Sequence, residues 1–204
     1  MKQNLALLVL AAVAALMLVA GCTSKVTNPQ PNQYFVFSFE TTQDGPLQGW
    51  VPYAADIDAQ HYTITRTLDM ARDSISSVKF YLDDVGGKGK IWIQRAFAVD
   101  TSTDYQVMVQ YQFATRDTGS TDLWTLITGT RPYLVEAAGE LLYQGNTGNG
   151  HNSDVGQVWL GKSYTFDVQS NSRGQIFAQI GVRGTGEGTR TYYLDSAYII
   201  FTKK

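Results

Sequence analysis

The sequence predicts an all-β domain, a two-sheet antiparallel β-sandwich spanning residues 34–204. Three observations predict it. Apolar and polar residues alternate with period two along most of this stretch, as strands with one buried face require. Glycine- and aspartate-rich turns interrupt the alternation at short intervals, and no segment in the stretch carries a helical period. Composition agrees: 12 Tyr and 19 Gly stand against only 17% charged residues, while 44% hydrophobic content supplies a core.

The clearest strand runs from Asp104 to Phe113, with Tyr105, Val107, Val109, Tyr111 and Phe113 facing one way and Gln106, Met108, Gln110 and Gln112 the other. Gln175 to Arg183 repeats the pattern, with Ile176, Ala178, Ile180 and Val182 inward. Tyr164, Phe166 and Val168 form a third inward set. Further strands are expected at 34–40, 61–67, 74–82, 89–99, 123–128, 140–144 and 191–202. Turns are expected at Asp83–Gly89, Arg116–Asp122, Gly145–Gly156 and Gly184–Gly188. Eight to ten short strands at this spacing suit a sandwich of the jelly-roll kind. There is no internal repeat and no sign of a second domain.

The first residues are different. Lys2 gives a short positive segment, and Leu5 to Ala20 is an unbroken apolar run, short for a membrane span and shaped like a secretory signal helix. It runs into Leu18-Val19-Ala20-Gly21-Cys22, whose small residues suit a signal peptidase. Val19, Ala20, Gly21 and Cys22 resemble the bacterial lipobox position by position. That resemblance implies cleavage before Cys22, a diacylglyceryl thioether on its sulfur and an acyl chain such as palmitate on its new amine. At about 0.8 kcal/mol per buried CH₂, two or three chains anchor a protein firmly to a membrane. Residues 1–21 are thus expected to be a lipoprotein signal peptide. Residues 22–33, polar and bearing two prolines, are expected to form a lipidated, flexible tether. Thr23 after the cysteine favours the outer membrane in a two-membrane cell, with the domain periplasmic or extracellular. Cys22 is the chain's only cysteine, so the domain has no internal disulfide.

Phe37-Ser38-Phe39-Glu40 lies near the start of the domain, followed by Gly49-Trp50, and Tyr192-Tyr193-Leu194-Asp195 lies near its end. This layout resembles the galactose-binding-like jelly rolls found in many carbohydrate-binding modules, across nearly all of 34–204. The resemblance implies a non-catalytic glycan-binding sandwich. It also implies a structural Ca²⁺ helped by acids at the places of Glu40 and Asp195. A hard cation needs further carbonyl oxygens that sequence does not reveal, and either acid can equally be a hydrogen-bonded surface group.

If the Tyr105 and Gln175 strands share a sheet, their outer faces combine Gln110, Gln112, Phe177 and Gln179, with Trp92 and Gln94 joining from the next strand. Amides donate and accept as sugar hydroxyls do, and aromatic faces stack on sugar C–H faces. The same pattern fits an ordinary solvated sheet face. Trp50, Tyr53 and Trp124 near loops or strand starts offer a loop-tip site instead, or core packing.

Other functions fare worse. A net charge of −2 without charge blocks gives no reason to expect nucleic acid. Gly156 to Ser163 matches the phosphate-loop pattern, but the residues after it read as a strand, and that motif needs a helix. His61 and His151 lack metal-ligand spacing, and no nucleophile elbow occurs. The leading expectation is a lipid-anchored envelope module that binds carbohydrate. A structural or adhesion lipoprotein contacting an envelope protein is the alternative, and a small hydrolase stands third. The anchor is testable in cells making the full chain. Cys22→Ser is expected to abolish labelling by a fatty-acid probe and move the protein to the soluble fraction; retained label would overturn it.

Overall fold

In the computed structural model, the described residues are 32–73, 75–115, 124–145, 151–152 and 156–204. The expected signal helix, Cys22 and most of the tether lie outside them. They form thirteen strands: β1 (Gln33–Phe37), β2 (Val51–Ala55), β3 (Tyr62–Thr67), β4 (Ser77–Asp84), β5 (Lys90–Ala98), β6 (Asp104–Thr115), β7 (Trp124–Arg131), β8 (Tyr143–Gln144), β9 (His151–Asn152), β10 (Gly156–Gln157), β11 (Leu160–Gln169), β12 (Gln175–Gly184) and β13 (Gly188–Lys203). Short 3₁₀ turns occur at Ala59–His61 and Ala138–Glu140.

Sheet A runs β11-β6-β13-β4-β3, with β1 as a sixth strand on β13. Sheet B runs β2-β5-β12-β7-β8, and β9 and β10 form a separate ribbon. Every pairing is antiparallel. The expected β-sandwich is therefore the observed fold.

Alternation explains the packing. Tyr105, Val107, Val109, Tyr111 and Phe113 from sheet A meet Ile91, Ile93, Ile176, Ala178, Ile180 and Val182 from sheet B in one core. Tyr164, Phe166 and Val168 pack on its edge. Phe35, Phe37, Trp50, Phe97 and Phe201 interlock edge-on or tilted at one end, and Phe113, Trp124 and Tyr192 pack as stacked, tilted and edge-on pairs at the other. Removing one such buried ring costs about 3–5 kcal/mol.

β13 is sixteen residues long because it serves two sets of neighbours. Gly188 to Leu194 pairs with β4, and Ala197 to Phe201 pairs with β1. Between them a bulge at Asp195–Tyr198 shifts the register against β6, and Ser196 there has φ 49°. A bulge bends a strand and re-aims its side chains, which lets one strand change partners midway.

Several boundaries depart from the expected ones. β1 stops at Phe37 because Phe39 turns left-handed, with φ 58°. The expected strand at 140–144 shrinks to Tyr143–Gln144, since a 3₁₀ turn takes its first residue. β2 has no counterpart among the expected strands. Pro52 interrupts its pattern, and β2 accommodates a proline because it is an edge strand paired only with β5. The expected 145–156 turn carries β9 and the start of β10.

Gly181 sits where the sheet B backbone leaves no room for a side chain. A Cβ there would lie 2.2 Å from the Ile91 carbonyl oxygen and 2.5 Å from Trp92 Cα. Gly181→Ala is expected to lower unfolding free energy by about 1–3 kcal/mol or more in urea denaturation. Gly86→Ala, with nothing within 4 Å of its Cβ position, is the neutral control.

Candidate functional site

The structure separates the residues expected to share one groove. Gln110 and Gln112 lie on β6 in sheet A, whereas Trp92 and Gln94 on β5 and Phe177 and Gln179 on β12 lie in sheet B. β6 pairs with β11 and β13, never with β12. The inner rows of β6 and β12 face each other in the core, so their outer rows look in opposite directions. The expectation of one shared face is corrected on this ground.

Three tryptophans expected as contacts are buried. Trp50 and Trp124 belong to the main core. Trp92 points to the outer side of sheet B, yet it is 0% exposed. The segment from Pro132 to Leu142 crosses that side and sets Val135 and Leu141 over Trp92 and Ile127. Tyr53 on β2 stacks on the Trp92 ring at 5.7 Å and 17°.

Beside this cover lies a cleft of ≈ 470 Å³, within the range of small-ligand pockets. Val51, Tyr53, Gln94, Ala96, Leu134 and Phe177 line it, with Asp44, Gly49 and Arg95 at its rim. Strand pairing explains the gathering. Val51, Gln94 and Gln179 form one row across β2, β5 and β12; Tyr53 and Trp92 form the next, and Ala96 and Phe177 the one on the other side. Tyr53 and Phe177 are half-buried and thus present ring surface to the cleft.

Gln94 is the polar centre. Its Oε1 accepts from the Val135 amide at 3.0 Å and from Gln179 Nε2 at 2.8 Å. Those two donors set the amide's orientation, leaving Nε2 buried without a hydrogen-bond partner among the described residues. A buried N–H without an acceptor costs about 1–3 kcal/mol. Tyr53 was missed as a strand residue because β2 was not legible. Alternation alone placed Gln94, Phe177 and Gln179 on one outward face of sheet B.

On the opposite side, Gln110 and Gln112 are half-buried, and Gln110 Nε2 donates to Ser163 Oγ at 3.2 Å. Val36, Tyr198, Gln110 and Ser163 form one cross-strand row, with Tyr34 and Ile200 in another. Tyr34 and Val36 are 64% and 60% exposed.

Glu40 and Asp195 both reach the 72–76 segment. Glu40 Oε1 accepts from the amides of Ile75 at 3.2 Å and Ser76 at 3.0 Å. Asp195 Oδ2 accepts from the Arg72 amide at 2.8 Å, and Oδ1 accepts from the Ser196 amide at 2.7 Å. Burial pushes the Asp195 carboxyl above its ordinary range, against the opposing pull of these amides. No three acidic or histidine side chains converge as a cation cage among the described residues. Both carboxylates serve as acceptors for loop amides.

A second cleft, lined by Asp56, Asp58, His61, Asp83 and Asp84, is acidic. Its charges are largely engaged: Lys90 holds the Asp56 carboxyl below its ordinary range, and His61 does the same for Asp83. At the phosphate-loop match, β11 continues through Lys162 to Gln169, so no helix N-terminus forms there.

No protein-family model and no curated protein matches the sequence. Among solved structures, the chain is similar to the K1 cleaved adhesin domain of Lys-gingipain from Porphyromonas gingivalis W83. That likeness has 11% identity, a TM-score of 0.51, and coverage of 82% of this chain and 97% of that one. It shows a common fold. A looser likeness is to the CBM22-1 xylan-binding domain of Paenibacillus barcinonensis Xyn10C, at 15% identity and TM-score 0.48, covering 86% and 98%.

Two measurements check the acid sites. Asp195→Ala is expected to destabilise by about 1–3 kcal/mol, because amides of the 72–73 segment and Ser196 lose their acceptor. A chelator tests the calcium expectation: a drop of several degrees in the parent's melting temperature would assign a cation there, and an unchanged one would count against it.

Proposed function

We propose that this protein is a lipid-anchored, non-catalytic module that binds carbohydrate in the cleft on the outer face of sheet B. The observation that carries the reading is the cleft itself, lined by the Gln94 side chain and flanked by the half-buried rings of Tyr53 and Phe177. Sugars supply both partners: hydroxyl oxygens accept from an amide, and C–H faces stack on aromatic rings. The apolar-walled cleft with few polar groups has the general character of a small-ligand site. The anchoring half of the proposal rests on Val19-Ala20-Gly21-Cys22. The non-catalytic half rests on the cleft's lining, whose single carboxylate, Asp44, has no acidic partner beside it in that lining. Glycoside hydrolysis ordinarily needs two.

A second reading, contact with an envelope protein, draws on the outer face of sheet A. There Tyr34, Val36 and Tyr198 expose large apolar surface in neighbouring rows. It uses the opposite side of the sandwich, so the two readings are separable by mutation.

A glycan array followed by calorimetry tests the first. Phe177→Ala and Tyr53→Ala are each expected to weaken glycan binding about two- to tenfold, the scale of one lost ring contact, with circular dichroism unchanged. Tyr198→Ala is expected to leave it intact. No glycan bound by folded protein would overturn the reading.

A further inference from the structure

The cleft is walled on one side by the Pro132–Leu142 segment, and this bears on which part of a glycan it takes. Rows of side chains run across sheet B from β2 through β5 and β12 to β7. At the β2 side no further strand follows, and Val51 is 51% exposed. Asp44 and Gly49, also exposed, border the same side. A chain laid along these rows can approach from there.

At the other side the Pro132–Leu142 segment stands across the path. Leu134 forms the cleft wall, Val135 is fully buried behind it, and Leu142 sits against Gly129 at 3.0 Å from its Cβ position. The wall is tied at both ends and in the middle. Asn171 Nδ2 donates to the Pro132 carbonyl at 2.8 Å, and the Val135 amide donates to Gln94. Arg131 donates twice to the Glu140 carbonyl, at 3.2 and 3.1 Å, and the Thr128 amide donates to the Leu142 carbonyl at 3.1 Å. Opening the path would break these bonds and expose Val135, Leu141 and Trp92 together, so the segment is a fixed wall.

Resting on the carbohydrate reading above, we infer that the site recognises the end of a glycan chain. The terminal ring enters from the β2 edge, lies between Tyr53 and Phe177 over Gln94, and stops at Leu134. A groove for the interior of a polymer needs two open ends, and along these rows the wall leaves one. Its ≈ 470 Å³ lies in the lower part of the range of small-ligand pockets, which suits a short terminus.

The test uses the full domain with xylo-, gluco- and galacto-oligosaccharides from a single ring to a hexamer, and with the parent polymers before and after endo-hydrolase digestion. The expected result is affinity that stops rising by the dimer or trimer. Binding sites per gram of polymer should rise in proportion to the chain ends that digestion creates. Affinity that climbs through the hexamer, with sites per gram unchanged by digestion, overturns the inference while leaving carbohydrate binding in place. No binding to any probe overturns both. Leu134→Trp, at an exposed wall position, is expected to abolish oligosaccharide binding without changing the melting temperature; undiminished binding by this folded variant also overturns it.

Discussion

The inner faces of the two sheets bury each other, and the placement of every outward side chain follows from that contact. With a period of two, a residue's parity decides whether it joins the core or leaves it. Val107 and Val109 go in, so Met108 and Gln110 go out; Ile91 and Ile93 go in, so Trp92 and Gln94 go out. Because the sheets meet face to face, the outward sets of β6 and β12 can never share a surface. Whatever is built on the sandwich must be built on one side or the other. A large apolar group facing outward, such as Trp92, needs a connection to cover it. The Pro132–Leu142 segment does this for sheet B, and by covering Trp92 it also shapes the cleft beside it.

Much of this architecture was legible in the sequence, and the limits have physical causes. Strands with a clean alternation, such as Asp104 to Phe113 and Gln175 to Arg183, carry their inward set in their parity. Strand pairing is not written there, since β6 and β12 present the same pattern to any neighbour. β2 was illegible because an edge strand tolerates Pro52 and buries little on either side. The burial of Trp92 was illegible for another reason. Its cover comes from a segment with no regular period, held by side chain-to-backbone bonds rather than by a sheet ladder. Gln94 was found by parity, but its role depends on the Val135 amide taking its carbonyl, a tertiary contact across 41 residues.

The acidic residues divide by environment in the same way. Asp195 is buried at the β13 bulge, and burial raises its pKa despite its amide donors. A carboxyl whose folded pKa is raised binds its proton more tightly when folded. Its contribution to stability is therefore fullest below the unfolded pKa and declines as pH rises through the folded one. Asp56, Asp69 and Asp83 behave oppositely. Partners Lys90, Lys79 and His61 lower their pKa values, so what they contribute is present above the unfolded pKa and lost on acidification. All three are exposed enough for solvent to screen them, which makes them small terms beside the packed rings of the core.

The two faces also divide the work proposed for the protein. β1, the first described strand, lies in sheet A against β13, and the chain preceding it carries the proposed anchor at Cys22. The cleft lies on the outer side of sheet B, the face turned away from that strand. Attachment through β1 thus loads the sheet that does not form the cleft. Between them stands a close-packed core of interlocked aromatic and aliphatic side chains. The wall at Leu134 is held from within sheet B and its own connections, by Gln94, Thr128, Arg131 and Asn171, so its position does not depend on the strand through which the module would be tethered.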